Sequence, residues 1–294
     1  MAGLGQCSLD YLMVLDSYPR EDTKKEVLEW AVQGGGPVAT ALVALSRLGV
    51  KTSFMGLVSD DDAGKLIKKG LVEEKIDIRD MVIRKGGKSQ TAFIVVNNKN
   101  GKRTIVWQRP TVKSIRPLEV KKDFLKGANF LLLDGLFSEA SIKAAKMARA
   151  IKIPIMLDAG RMRKGMYELL QSSDYIIASE EFGRKFAGSP KRALKELMMF
   201  QPKAATITLG DKGSITISGR EEFHQPAFIV DVVDTTGAGD VFHGGYIYGL
   251  LQGWEIRKTL KFASAFAALK CRRLGGRAGI TGFKEAFKFI NENE

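Results

Sequence analysis

Apolar positions recur along this chain in two rhythms. In the first, Val38, Ala41, Leu42, Leu45 and Leu48 fall at helical spacing, with Pro37 opening the run and Gly49 closing it. Proline just inside a helix start and glycine just past its end are the expected punctuation. The same spacing predicts helices over 62–74, 138–150, 190–200, 238–252 and 255–273. The second rhythm is a set of short continuous apolar runs, FLLLD (130–134), IPIMLD (153–158), YIIA (175–178) and ATITLG (205–210). Runs of that length suit strands buried on both faces. Strands alternating with amphipathic helices predict an α/β layered fold with a largely parallel sheet.

Two segments break the alternation. Residues 91–108 read as two strands around the turn Asn97-Asn98-Lys99-Asn100-Gly101, a hairpin. Residues 11–32 lack helix signals and contain the strand-like runs YLMVL and EVLEWAV. Together these segments, 11–32 and 91–111, are expected to pair as a small β lid inserted into one domain spanning 1–294.

The chain has 294 residues, 45% of them hydrophobic, ample for a full core. No apolar run approaches the ~20 residues of a membrane helix, and no basic, apolar, cleavage-site succession marks a leader. Two distant cysteines, Cys7 and Cys271, give neither a disulfide framework nor a zinc spacing, so a cytoplasmic setting is expected. The net charge of +13 admits nucleic acid, a membrane surface or a small anionic substrate as partner. The basic residues are scattered, with no stripe alternating with aromatics. The expectation is therefore a small-molecule partner, with no nucleic acid and no membrane.

The stretch VDVVDTTGAGDVFHGGYIYGL, residues 230–250, runs apolar, turns small and polar, and becomes helical. It reads as a buried strand ending at Asp234, then a glycine turn, then a helix. A helix start presents free N–H groups. Gly237, Ala238 and Gly239 carry nothing bulky to block a ligand there, and the helix dipole favours an anion. Asp240 is the odd member, since a carboxylate repels a phosphate. It is either a helix-capping residue in a glycine turn or a base for a hydroxyl that attacks the phosphate. Proximity to the positive helix end predicts a low pKa and an ionised, acceptor-only carboxylate.

A second glycine run, QGGGPVATALVALSRLG (33–49), lacks the Lys-Ser/Thr ending of a P-loop. It permits close backbone approach to a ligand, or is an ordinary strand-to-helix turn. Gly3 and Gly5 supply only half of a dinucleotide fingerprint, so a Rossmann site is rejected. Asp10 follows the first strand, where a carboxylate can grip two sugar hydroxyls or simply close a turn. His243 lies one turn beyond Asp240 and either faces the site or packs. Pairing it with His224 on a metal is not expected. Trp107 walls a cofactor, packs in the lid or lines a dimer interface.

Together these motifs resemble the ribokinase-like (PfkB) family of sugar kinases over nearly the whole chain. DTTGAGDVFHGG resembles its C-terminal signature and GGGPVATALVALSRLG its N-terminal one. TLGDKGS (208–214) is similar to its nucleotide-side strand and turn, and FASAFAALKCRRLGGRAGI (262–280) to the helix and loop beside the adenine. The resemblance implies a three-layer sandwich with a β lid, ATP and Mg2+, and a sugar hydroxyl as acceptor. It makes Asp240 the base and Gly237, Ala238 and Gly239 the anion hole. Asp10, Gly35 and Gly36 would contact the sugar, and Thr208, Gly210 and Gly213 would line the nucleotide, with Ser179 beside them. Asp234 falls where some members hold a monovalent cation, K+.

Two positions depart from the family. Thr40 replaces the usual asparagine, so one sugar contact is shortened or lost. The usual Asn-x-x-Glu, which organises magnesium and phosphate, reads Ser179-Glu180-Glu181-Phe182, leaving Glu180 or Glu181 to hold Mg2+ through water. The sugar-side segments are similar to the sulfofructose kinase and ketohexokinase branches. Lys24 matches the sulfonate-binding lysine, while the asparagine and arginine positions read Trp107 and Leu136. The expected reaction is ATP-dependent phosphorylation of a ketohexose or related anionic sugar, with Lys24 and Arg109 meeting the anion and a homodimer formed through the lid. A catalytically weak sugar- or nucleotide-binding regulator on the same fold, or a nucleoside kinase, is the alternative.

Overall fold

The two rhythms become two kinds of buried surface. In the computed structural model, which describes residues 1–293, the strands are β1 (Ala2–Leu4), β2 (Ser8–Leu15), β3 (Glu29–Gly35), β4 (Ser53–Met55), β5 (Leu57–Ser59), β6 (Val82–Arg84), β7 (Thr91–Asn97), β8 (Arg103–Gln108), β9 (Leu131–Leu133), β10 (Ile155–Ala159), β11 (Tyr175–Ser179), β12 (Ala204–Thr208), β13 (Ser214–Ser218) and β14 (Glu221–Gln225). The helices are α1 (Pro37–Arg47), α2 (Asp62–Glu73), α3 (Ser138–Ala150), α4 (Met166–Ser172), α5 (Glu180–Ala187), α6 (Pro190–Met198), α7 (Ala238–Leu251), α8 (Ile256–Lys270) and α9 (Phe283–Glu292). The final position of the expected 1–294 span, Glu294, lies outside the described residues.

An eight-stranded sheet runs in the order β14-β13-β12-β11-β10-β9-β1-β4. Its strands are parallel from β4 to β12, and β13 and β14 turn antiparallel at one edge. Side chains alternate between faces. Leu132, Met156 and Ile177 pack towards α1, α7 and α8, whereas Leu131, Leu133, Ile155, Leu157 and Ile176 pack towards α3 to α6. The result is a three-layer α/β sandwich with a mostly parallel central sheet, as the alternation predicts.

The two irregular segments meet as expected. They form a separate four-stranded sheet, β3-β2-β7-β8, in which β2 pairs parallel to β7 and the outer pairs are antiparallel. Its inner face carries Leu12, Val14, Ala92, Ile94 and Val96 against Leu274. Its outer face carries the cross-strand ladder Val32, Tyr11, Phe93 and Val106.

Two expectations fail. No strand forms over 230–234. Val232 and Val233 are exposed, and the segment is pinned by Val233 N and Asp234 N, which both donate to Cys271 O at 2.9 and 3.1 Å. The alternating apolar pattern there serves a loop, not a ladder. The strand expected over 26–32 begins only at Glu29. Helices α4, α5 and α9 and the edge strands β13 and β14 went unread in the sequence. The shorter ones are organised by caps, as where Ser179 Oγ accepts from Phe182 N to start α5. Among the described residues no helix is long and apolar enough to cross a membrane.

Candidate active site

The carboxyl ends of the parallel strands and the start of α7 converge on one cleft. Gly237 caps α7 in a left-handed conformation, φ 75°. A Cβ there would meet Gly276 Cα at 2.8 Å, so this turn requires glycine twice over, for its backbone angle and for the close loop beside it. Of the first N–H groups of α7, that of Ala238 donates to Thr235 O at 3.3 Å within the turn, and the next belongs to Gly239. As helix-start donors they suit an anion.

Asp240 sits in the first turn of α7, partly buried. Its pKa is raised to about 6, first by burial and then by the charge of Asp158, with His243 and Arg103 opposing. This corrects the expectation of a low value. The dipole argument counts the helix end but omits the desolvated cleft and the second carboxylate, which the fold supplies from the end of β10.

Asp10 lies within β2, not in a turn, and is almost fully buried. Ser8 Oγ donates to its Oδ1 at 2.6 Å. Gly35 is pressed against this carboxylate, leaving no room for a Cβ. Gly36, at φ 94°, turns the chain from β3 into α1 against the backbone of Gln6 and Cys7. Thr40 is buried inside α1. Arg277 is buried alongside and donates Nη2 to Gly35 O at 3.1 Å. Its charge acts on both Asp10 and Asp240, linking the glycine run to the α7 start.

On the other side, Ser179 and Thr208 are direct cross-strand partners at the ends of β11 and β12. Gly210 and Gly213, both at positive φ, shape the turn that follows. Glu180 and Glu181 begin α5 and pair with Arg184 and Lys185 at 2.6 Å each. Phe182 is buried, so no carboxylate occupies the fourth position of that motif.

Arg109 lies over the Trp107 ring, 5.1 Å from its centroid. Both line a cavity of about 170 Å³ with Gln6, Gln90 and Leu136. Lys24 is not brought there; it is exposed in the loop between β2 and β3. Arg163 is near enough to Arg109 for their like charges to act on each other. Its pKa is lowered by burial, with the like charge of Arg109 adding to the effect. Its Nη1 is buried without a hydrogen-bond partner among the described residues.

Sequence reasoning missed six contributors, Arg277 and Arg163 above and four more. Asp134 follows β9 and Asp158 lies near the end of β10; both were visible as the last letters of apolar runs. Asp134 accepts from Gln6 N at 2.7 Å and Leu136 N at 2.9 Å, fastening two walls of the cavity, and burial pushes its pKa up to about 7. Arg103, on β8, donates Nη1 to Thr235 Oγ1 at 2.6 Å. Lys270 donates its ammonium to Asp234 O at 2.7 Å. His243 is buried, its Nδ1 2.6 Å from Gly239 O and its Nε2 3.7 Å from Asp158 Oδ1, so it both packs and faces the cleft.

Known proteins resemble this chain over nearly its whole length. Mouse ketohexokinase is 25% identical over 293 residues, covering 95% of this chain and 96% of that protein. An ATP-dependent ribose-1-phosphate kinase from Halopiger xanaduensis is 24% identical, covering 94% and 93%. A ribokinase-fold protein from E. coli, solved with ATP and Mg2+, superposes with a TM-score of 0.88 at 22% identity, over 99% of this chain and 98% of that one. The pattern shared by pfkB family carbohydrate kinases matches residues 4–281, from the end of β1 past the loop that seats Gly276 on Gly237. That span takes in both glycine runs and the carboxylates between them, and the chain belongs to the pfkB family of carbohydrate kinases.

Proposed function

We propose that this sugar kinase transfers the γ-phosphoryl group of ATP to a hydroxyl of a ketohexose-type or related anionic sugar, with Asp240 as base. The observation that carries the reading is the placement of Asp240 at the start of α7, between the Gly237–Gly239 turn and the buried Asp10. Asp10 would accept from sugar hydroxyls, with Gly35 and Gly36 admitting the ring. Asp240 would take the proton of the attacking hydroxyl as the oxygen–phosphorus bond forms. The N–H groups of the α7 start would hold the charge that builds on the transferring phosphoryl as ADP leaves. Thr208, Gly210, Gly213 and Ser179 would line the nucleotide.

Magnesium fits this site by donor chemistry. Glu180 and Glu181 offer hard carboxylate oxygens on an exposed helix start, held only by surface ion pairs worth about 0–1 kcal/mol. They would hold Mg2+ through water, and the ion would neutralise phosphate charge.

The anionic acceptor rests on Arg109 and Arg163, two guanidinium groups near the sugar-side cavity, one with a buried unpaired N–H group. A planar fork suits phosphate or carboxylate. The relative named for ribose-1-phosphate supports a charged acceptor; the one named for ketohexose supports the ketose.

A screen of ADP production over ketoses, aldoses, nucleosides, sugar acids and sugar phosphates tests the reading. The strongest turnover is expected from an anionic ketose. Arg109→Ala should then cost about tenfold or more in kcat/KM for that sugar and much less for its neutral analogue. Equal losses would remove the anion, and nucleoside turnover alone would remove the sugar.

A further inference from the structure

Lys270 is the last residue of α8 and is fully buried. A buried ammonium carries a desolvation cost of several kcal/mol, and a packed apolar residue of similar volume usually serves stability as well or better. Its position therefore needs a use for the charge. The ammonium sits at a seam between two loops. On one side, Asp234 opens the turn into the α7 start. On the other, residues 271–275 lead to the glycine packed on Gly237. The seam is stitched by Val233 N and Asp234 N to Cys271 O, and by Gly275 N to Asp234 Oδ2 at 2.8 Å. Asp234 Oδ1 is taken by Thr236 N at 2.8 Å and Thr236 Oγ1 at 2.7 Å.

A monovalent cation at Asp234 does not fit this arrangement. Both carboxylate oxygens already accept hydrogen bonds, and the main-chain oxygen accepts one from Lys270 at 2.7 Å. A carbonyl oxygen beside a carboxylate, under the anion-binding end of a helix, is an environment that favours one positive charge, and the chain supplies that charge covalently. Burial works against the ammonium and lowers its pKa, as does the charge of Arg103, while the charges of Asp234 and Asp240 favour it there.

We propose that Lys270 is a positioning residue that does the work of a bound monovalent cation, holding the Asp234–Gly237 turn in its anion-binding shape, so that this kinase requires no K+. The inference rests on the α7 start being the phosphate site. It does not depend on which sugar is used.

The test has two arms. First, the wild-type protein is assayed with K+, NH4+, Na+ or tetramethylammonium as the sole monovalent cation, at constant Mg2+ and ionic strength. The readouts are affinity for a non-hydrolysable ATP analogue, melting temperature and turnover. Less than about twofold variation is expected, and selective stimulation by K+ or NH4+ of tenfold or more overturns the proposal. Second, Lys270→Met and Lys270→Ala are compared. Both are expected to bind the analogue on the order of tenfold more weakly, from loss of a charge near the phosphates. Only Lys270→Ala, which leaves space, should be rescued by K+, NH4+ or methylammonium. Wild-type analogue binding in Lys270→Met, or loss in Lys270→Ala that no small cation restores, would show a packing residue and overturn the idea. If neither variant folds, the wild-type cation series decides. If no sugar is turned over, analogue binding still decides, which separates this inference from the choice of acceptor.

Discussion

At the scale of single residues, the site turns on carboxylates that burial makes basic. Asp240 titrates near about 6, among Asp158, His243, Arg103 and Asp10. A base must be ionised to accept a proton, so kcat/KM should rise as pH climbs through about 6 and level off above it. Asp240→Asn should remove that limb and cost ~10²–10⁴ in rate. The stability sign runs the other way. The folded pKa lies above the unfolded one, so its contribution is fully present below about pH 4 and lost as pH rises through about 6. Asp240→Asn should therefore melt higher than wild type at neutral pH, with the gain vanishing in acid. A folded Asp240→Asn protein that keeps wild-type kcat would end the assignment. Asp240 could be singled out as a candidate from its glycine turn, but its proton affinity could not. Asp158, 82 residues away in the chain, sets part of it, and only the packing of α7 on the face of the sheet brings it near.

At the scale of elements, the helix and strand periods were legible because each is set by local burial. The helix over 138–150 matches α3 at both ends. The segment 230–234 misled because alternating valines normally pack on both sides of a pleat. Here the chain satisfies its backbone through Cys271 O instead, a contact that no local pattern encodes. The pairing of 11–32 with 91–111 was inferred only from their shared departure from the alternation, and β2 and β7 do pair. That small sheet is expected to act as a lid that closes over the sugar and excludes water, a competing acceptor. Hydrogen exchange over 91–108 should slow when sugar and a non-hydrolysable ATP analogue are both bound. Arg103→Gln, which loses the link to Thr235, should blunt that protection and lower kcat. Exchange that ignores the ligands would argue for a fixed wall.

At the scale of the whole molecule, the outer face of the four-stranded sheet leaves apolar surface in water. Phe93 and Val106, on neighbouring β7 and β8, are 47% and 66% exposed, and Trp30, on the edge strand β3 across β2, is 68% exposed. Exposed apolar patches of this kind mark association surfaces, and the homodimer expected from the sequence would bury this one. Val106→Glu should convert a dimer to a monomer in sedimentation at micromolar concentration, while a wild-type monomer would retire the idea. The cleft's less legible parts belong to this scale as well. Arg103 meets Thr235 across 132 positions and Lys270 meets Asp234 across 36, distances at which sequence spacing says nothing about contact.

The turn between β7 and β8 also touches the loop before α7. Gly101 lies against Val232, and Arg103 bonds Thr235. On the proposed function, one side of that contact would belong to the sugar's cover and the other to the phosphate's seat. Whatever holds the cover shut also holds the seat, so the two substrates should report each other's presence. By linkage, the factor by which sugar tightens an ATP analogue must equal the factor by which the analogue tightens sugar. Calorimetric titration of each in the presence of the other should give one shared factor above unity in the wild type. Arg103→Gln should bring it towards one, leaving a protein that spends ATP on water more freely when no sugar is bound.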